Sequence, residues 1–514
     1  MTARLDRVQL DAFRDAVGAR IGLQFDDGKL DLLADVAAQR VDALGTSVDA
    51  YLKRLAAGEE PDEIRALAER LTVGETYFFR NRNDLDAFLN AVLPARMRAR
   101  DEQRKLRILS AGCSSGEEPY TLAMLLRGVP SLEGWDVRIH AFDVNPAALS
   151  RARAGRYGEW SLRQTPPEER ARFFEEERKG VRVAEEIRRL VTFEERNLVD
   201  DDLVFWRPDA LDVVFCRNVL MYFSPEVTRR IVARFARVLA PGGFLFLGHA
   251  ETLRGVSNAF HLRHDYETFF YERREAGAEE EAPGPGPAGV AGVAGARPPG
   301  AAPVVAPPPL PDGGWVEAIR EASERVAHLT GPGPSAPARP GSPAPARPGG
   351  PAAALALFEQ ARFADALAAL GSGAFEAETD VDALLLRAVL LTISGDPREA
   401  ERVCARLFAL DELNAEAHYV MALCREHARD LPGAGDHDHY ALYLDPTFAM
   451  PRLHLGLMAV RAGQPDVARR ELSRAVALLA AEDGSRLLLL GGGFRREALL
   501  ALCAAELRAC GGEA

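Results

Sequence analysis

Residues 107–124 read RILSAGCSSGEEPYTLAM, and this stretch decides the fold. An apolar strand ends at Ala111, a loop with Gly112 and Gly116 turns sharply, and a helix begins near Glu117. Glycines are needed in such a loop where backbone must run close to a ligand. The two acids at the helix start, Glu117 and Glu118, suit the positive end of its dipole. They also repel phosphate. That disfavours a dinucleotide or phosphate-loop reading, in which the anion itself sits at the helix N-terminus. A cationic ligand fits better.

Outward from this loop, short apolar runs recur at Leu106–Leu109, Val137–Phe142, Leu211–Cys216 and Phe244–Leu247. Each ends in polar or glycine punctuation, and the first three lead into helix-like stretches. The alternation predicts an α/β domain, a parallel sheet covered by helices. His261–Tyr271 predicts a terminal antiparallel pair. The second run ends in Asp143, a carboxylate at the carboxyl edge of the sheet that can accept both hydroxyls of an adenosine ribose. With the acidic loop beside it, the ligand expected is S-adenosylmethionine, whose sulfonium and ammonium groups are cations. Arg217 to Phe223, after the third of these runs, should face the same crevice.

The flanks are of different character. Residues 1–90 show helical periodicity only, with Leu30, Leu33, Val36, Ala37 and Val41 at helix spacing ahead of Gly45, then helices from Val48 to Leu55 and Ile64 to Leu71. They predict a small all-α domain before the α/β domain at 91–274. The stretch 283–351 holds 18 of the 33 prolines, so 275–350 predicts a disordered Pro/Gly/Ala-rich linker. Within it, Trp315–Leu329 reads as a transient helix. Residues 351–514 are helical with a period of 34, which aligns Ala388, Ala422 and Gly456, and also Ala400, Ala434 and Ala468. Small residues at these two positions resemble tetratricopeptide repeats. Three repeats are expected, with a boundary at Asp445–Pro446, a degenerate repeat at 351–380 and a capping helix around Arg496–Cys510.

The formal net charge of -13 argues against a general nucleic-acid binder, and the local basic stretch Arg96–Arg100 reads as a solvated helix face. Six scattered cysteines form no C-x-x-C pair, which excludes an obvious zinc site and fits a reducing compartment. The N-terminus lacks an apolar signal core, and no apolar run reaches the roughly 18 residues that span a bilayer. A cytoplasmic protein with no direct membrane insertion is expected.

Six ordered motifs resemble the CheR-type chemotaxis receptor methyltransferases, which methylate protein glutamates. They are Thr76-Tyr77-Phe78-Phe79-Arg80, the Ser110–Met124 segment, Ala141-Phe142-Asp143, Asn197-Leu198, Phe215–Phe223 and Leu247-Gly248-His249-Ala250-Glu251. The resemblance covers about residues 5–274 and implies a Rossmann-like methyltransferase domain. By it, Thr76, Arg80, Gly112, Glu118, Asp143, Asn197, Leu198, Arg217 and Asn218 bind the cofactor, Glu118 holding its amino group and Asp143 its ribose. Arg80 and Tyr222 border the transferring methyl as the catalytic pair, and no metal is implied. Gly74 stands where the family usually has Asn, and Ala250 where it has Ser.

The reaction implied is attack of a glutamate carboxylate on the sulfonium methyl. A glutamate of pKa about 4.3 is already an anion at pH 7, so no general base is needed. Cys113 and Cys216 read as small strand-end residues, and His249 as structural. The substrate implied is the cytoplasmic helices of a methyl-accepting chemoreceptor. The family's N-terminal domain presents a basic helix to them; the equivalent segment here, Val36–Asp42, carries Arg40 as its one cation. The repeats would add a protein partner, and Phe173–Glu186 corresponds to a small β insertion that grips a receptor tail, with Lys179-Gly180 as its turn. Two other readings are methylation of a different acceptor and a non-enzymatic, cofactor-binding scaffold.

Overall fold

Asp6 opens the first helix, α1 (Arg7–Ile21), through a capping box: Gln9 N donates to Asp6 Oδ1 at 2.8 Å, and Asp6 N donates to Gln9 Oε1 at 3.1 Å. The sequence reading passes over this helix. In the computed structural model, which describes residues 5–58, 60–274, 350–371, 375 and 378–511, it packs with α2 (Leu30–Leu44), α3 (Val48–Ala57) and α4 (Pro61–Leu71). Their shared core includes Phe13, Val17, Leu33, Val41, Tyr51 and Leu67. Arg40 is turned into this domain. Its guanidinium pairs with buried Glu63 at 2.5 Å, and Glu63 also accepts from the Tyr51 hydroxyl at 2.8 Å. The one cation of the Val36–Asp42 segment is therefore an internal strut, because a buried carboxylate must be paired.

Five parallel strands make up one side of a seven-stranded sheet. In chain order these are β1 (Lys105–Ala111), β2 (Asp136–Asp143), β6 (Val191–Glu195), β7 (Leu211–Cys216) and β8 (Leu239–Leu247). The antiparallel pair β9 (Phe260–Asp265) and β10 (Thr268–Arg273) completes it, in the order β6-β2-β1-β7-β8-β10-β9. β6 escaped the sequence reading; at the sheet edge, its residues Thr192 to Glu195 are partly or fully exposed. The connections run one way from β1 through β2 to β6 and then cross back to β7. The carboxyl ends of β1 and β7 thus flank the point where strand order reverses, where ligands bind in open α/β sheets.

Two of the basic residues in Arg96–Arg100 turn inward rather than to solvent. Arg96 is buried, donating to Asp212 at 2.9 Å and to the carbonyls of Pro241 and Gly242, and Arg100 reaches Asp212 at 2.7 Å. Asp212 sits within a fully buried strand, so its charge demands these cations. A separate three-stranded sheet, β3 (Arg156–Tyr157), β5 (Gly180–Val183) and β4 (Phe174–Glu177), forms the insertion, with Arg178 and Lys179 in the turn.

The chain divides into two units at Ala278 and Glu279. The expected linker, Gly350 apart, and the Trp315–Leu329 segment lie outside the described residues. In the second unit, helices begin at Val381, Ala415 and Ala449, each followed by a partner beginning at Pro397, Leu431 and Pro465. The step is 34 residues in both series. Ala388, Ala422, Gly456, Ala400, Ala434 and Ala468 are all buried where helices meet. A Cβ on Gly456 would lie 2.7 Å from Leu472, so glycine fits here without displacing that side chain. Helices Pro351–Glu359 and Phe363–Ala369 precede the series, and Arg496–Ala509 ends it.

Candidate functional site

β1 ends at Ala111 and the chain turns at Gly112, which has φ +73° and so favours glycine. A Cβ there would strike Val219 at 2.6 Å. The turn places the helix Glu117–Arg127 with its N-terminus beside Asp143, at the end of β2. Ser114 N and Asn145 N each donate to the Asp143 carboxylate at 2.8 Å, which fixes its orientation. Burial pushes this carboxyl up, and the backbone N–H bonds oppose that.

The adjacent acids of the loop part company. Glu118 enters the cleft, accepting from Ser110 Oγ at 2.8 Å and facing Arg217 Nη1 at 3.3 Å. Glu117 turns away, accepting from the hydroxyls of Ser115 at 2.8 Å and Ser161 at 3.1 Å, with burial raising its carboxyl. Successive helix residues are about 100° apart, so one points to the ligand and the other to the insertion.

All ten sequence-derived site residues line a single cleft of about 1160 Å³, its open mouth included: Thr76, Arg80, Gly112, Glu118, Asp143, Asn197, Leu198, Arg217, Asn218 and Tyr222. Arg80 donates to the Glu75 carbonyl at 3.1 Å. Asn197 donates to the Arg20 carbonyl at 3.0 Å and accepts from Val199 N at 3.2 Å, so its amide ties α1 to the site. Gln24 N donates to the Tyr222 carbonyl at 2.8 Å, and Leu23 bridges to Phe223, which joins the helical domain to the Tyr222 loop.

Asp84 carries no signal in the sequence, yet its Oδ2 lies 2.9 Å from Arg217 Nε and its Oδ1 accepts from Thr268 at 2.6 Å. It sits in an unremarkable helix, Arg82–Ala87, with no motif to flag it. Glu251 likewise takes no role from the sequence alone. His249 is exposed rather than packed, and it does not line the cleft. Cys113 and Cys216 are buried, and burial raises both thiols well above their usual range. Neither is a ready nucleophile.

These residues suit a cationic nucleoside ligand. Asn218 lines the cleft with a buried Oδ1 that finds no hydrogen-bond partner among the described residues, and such an acceptor calls for a ligand donor. Among the described residues no cation pairs with Asp143, leaving lone pairs for hydroxyl donors. Among the described residues no helix is long and apolar enough to cross a membrane.

Residues 74–268 match the family described as "CheR methyltransferase, SAM binding domain". The chain is 33% identical over 275 residues to "Chemotaxis protein methyltransferase 2" of Vibrio cholerae, covering 52% of this chain and 94% of that one. It is 31% identical over 249 residues to "Chemotaxis protein methyltransferase" of Escherichia coli, covering 48% and 84%. It is also 31% identical over 471 residues to "Probable biofilm formation methyltransferase WspC" of Pseudomonas aeruginosa, covering 90% and 98%. The cofactor is S-adenosylmethionine, and the chain belongs to the CheR methyltransferase family.

Proposed function

We propose that this chain methylates glutamate side chains of a methyl-accepting chemoreceptor, giving methyl esters, and that its C-terminal helix pairs are tetratricopeptide repeats holding a protein partner. One observation supports the choice of acceptor: the cleft acids Glu118 and Asp143 are assigned to the cofactor, and no imidazole stands beside them among the described residues. Among the described residues, those lining it include no histidine, and its cysteine has a raised thiol. A carboxylate acceptor needs no deprotonation at neutral pH, whereas an ammonium acceptor does.

S-adenosylmethionine supplies a methyl group on a sulfonium cation. Glu118 and Asp143 hold the cofactor, Asn218 accepts one of its donors, and Thr76 and Leu198 wall the cleft. Arg80 draws the acceptor carboxylate in by charge, and the Tyr222 hydroxyl sets its angle. With no proton to move, acceleration comes from alignment and exclusion of water, and positioning of this kind is worth up to about 7–11 kcal/mol. Val73 and Met221, exposed apolar side chains beside the cleft residues, offer an acceptor helix a place to pack. The constant 34-residue step and buried small positions support the repeat reading. The match to the biofilm-formation relative, which runs through both units, favours a signalling output of that kind.

Labelled cofactor and a receptor cytoplasmic fragment test this directly. Methyl transferred to the fragment should leave as volatile methanol in mild base. Label that survives base would refute the ester. Arg80→Ala and Tyr222→Phe should each lower turnover at least tenfold; wild-type rates in both would remove their assigned roles.

A further inference from the structure

The turn from Arg217 to Tyr222 carries four cleft residues, Arg217, Asn218, Val219 and Tyr222, yet it is held from outside the cleft. Glu251, buried behind it, accepts four backbone N–H groups. Oε2 takes Asn218 N at 2.7 Å and Gly248 N at 2.7 Å, and Oε1 takes Val219 N at 2.8 Å and Met221 N at 3.1 Å. The turn needs such a hold. Asn218 sits at φ +59°, a conformation an L-residue adopts at a cost. It is also crowded, since a Cβ on Gly248 would lie 2.6 Å from Asn218 Nδ2 and 2.8 Å from its N.

We propose that Glu251 is a positioning residue of the methyl-transfer site, its carboxylate locking the strained Arg217–Tyr222 turn so that Asn218 faces the cofactor and Tyr222 the acceptor. The claim rests on the glutamate-methylation reading for the role of Tyr222, but not for the lock itself. The chemistry is specific to a carboxylate. Two oxygens with about four lone-pair sites meet four converging donors. The isosteric amide of Glu251→Gln would set an NH₂ against two of those N–H groups. Aspartate keeps the charge and both acceptors and loses only reach.

The test uses the full chain with Glu251→Gln and Glu251→Asp. Calorimetry with S-adenosylhomocysteine counts competent sites, turnover per site is measured on the receptor fragment, and hydrogen exchange is followed over the peptide 217–222. Glu251→Gln should bind near one equivalent, with kcat at least tenfold lower and receptor KM within about threefold. The 217–222 amides should exchange at least tenfold faster while β1 and β7 stay protected, and Glu251→Asp should recover part of both. Wild-type kcat per site in Glu251→Gln would overturn the positioning role. Unchanged exchange at 217–222 would overturn the lock, and that readout holds even if the wild-type chain proves not to methylate the fragment. Should Glu251→Gln fail to fold, Glu251→Asp carries the same two comparisons.

Discussion

Arg217 and Asp84 form a buried ion pair behind the cofactor cleft, Nε to Oδ2 at 2.9 Å, with both side chains almost wholly removed from water. Arg217 Nη1 also faces Glu118 at 3.3 Å, and Nη2 donates to the Arg80 carbonyl at 2.9 Å. One guanidinium thus spaces Glu118 from the segment bearing Arg80. Removing a partner from a buried pair leaves an uncompensated charge, at a cost of about 3–5 kcal/mol. Asp84→Ala should show that loss in denaturant melts of the full chain, together with weaker S-adenosylhomocysteine binding because Glu118 loses its fixed neighbour. Melts matching wild type would show the pair to be energetically idle.

The two loop acids should separate in binding. Hydrogen bonds to a charged group contribute about 1.5–3 kcal/mol, so Asp143→Ala and Glu118→Gln should each weaken S-adenosylhomocysteine roughly 10–100-fold by calorimetry. Glu117→Gln should stay within about threefold, because its carboxylate is committed to Ser115 and Ser161. Equal losses at 117 and 118 would show that Glu118 has no special part in holding the cofactor.

The second unit should be most stable near neutral pH, for opposite reasons on its two sides. Burial disfavours a charge on His454, but Asp438 at 2.7 Å and Glu426 at 3.1 Å outweigh it and raise the imidazole to about 10. That stabilisation is present below the ordinary value near 6.5 and fades as pH rises toward 10. Burial instead lowers His418 to about 4. The folded state therefore loses stability as pH falls from about 6.5 to 4. Melting of the second unit's helices against pH should trace both slopes, and His454→Gln should flatten the alkaline one. An alkaline slope identical in that variant would refute the assignment.

Arg429 occupies the turn position that Gly395 and Gly463 hold in the flanking helix pairs, one 34-residue step away on either side. All three are left-handed, with φ of +64°, +81° and +67°. A non-glycine residue there costs about 1–2 kcal/mol, part of which glycine's freer unfolded chain returns. Arg429→Gly should therefore stabilise the second unit by about 0.5–1 kcal/mol, a rise of a few degrees in Tm. A fall in Tm would show that the side chain itself contributes there.

Local sequence settled whatever depends on neighbours along the chain. The apolar runs located β1, β2, β7 and β8, and a 34-residue rhythm of small residues placed the paired helices. The acids after Gly112 pointed to a cation and Asp143 to a ribose, and ten residues drawn from five separate motifs share one cleft. Only the tertiary structure could decide what distant residues do to one another. Arg40 and Arg96 look like surface cations until Glu63 and Asp212 come to meet them. Asp84 has no motif until Arg217 folds against it, and Glu251 is one acid among many until four amides converge on it. A buried charge is governed by its partners in space, and in the three ion pairs those partners lie from 23 to 133 residues away along the chain.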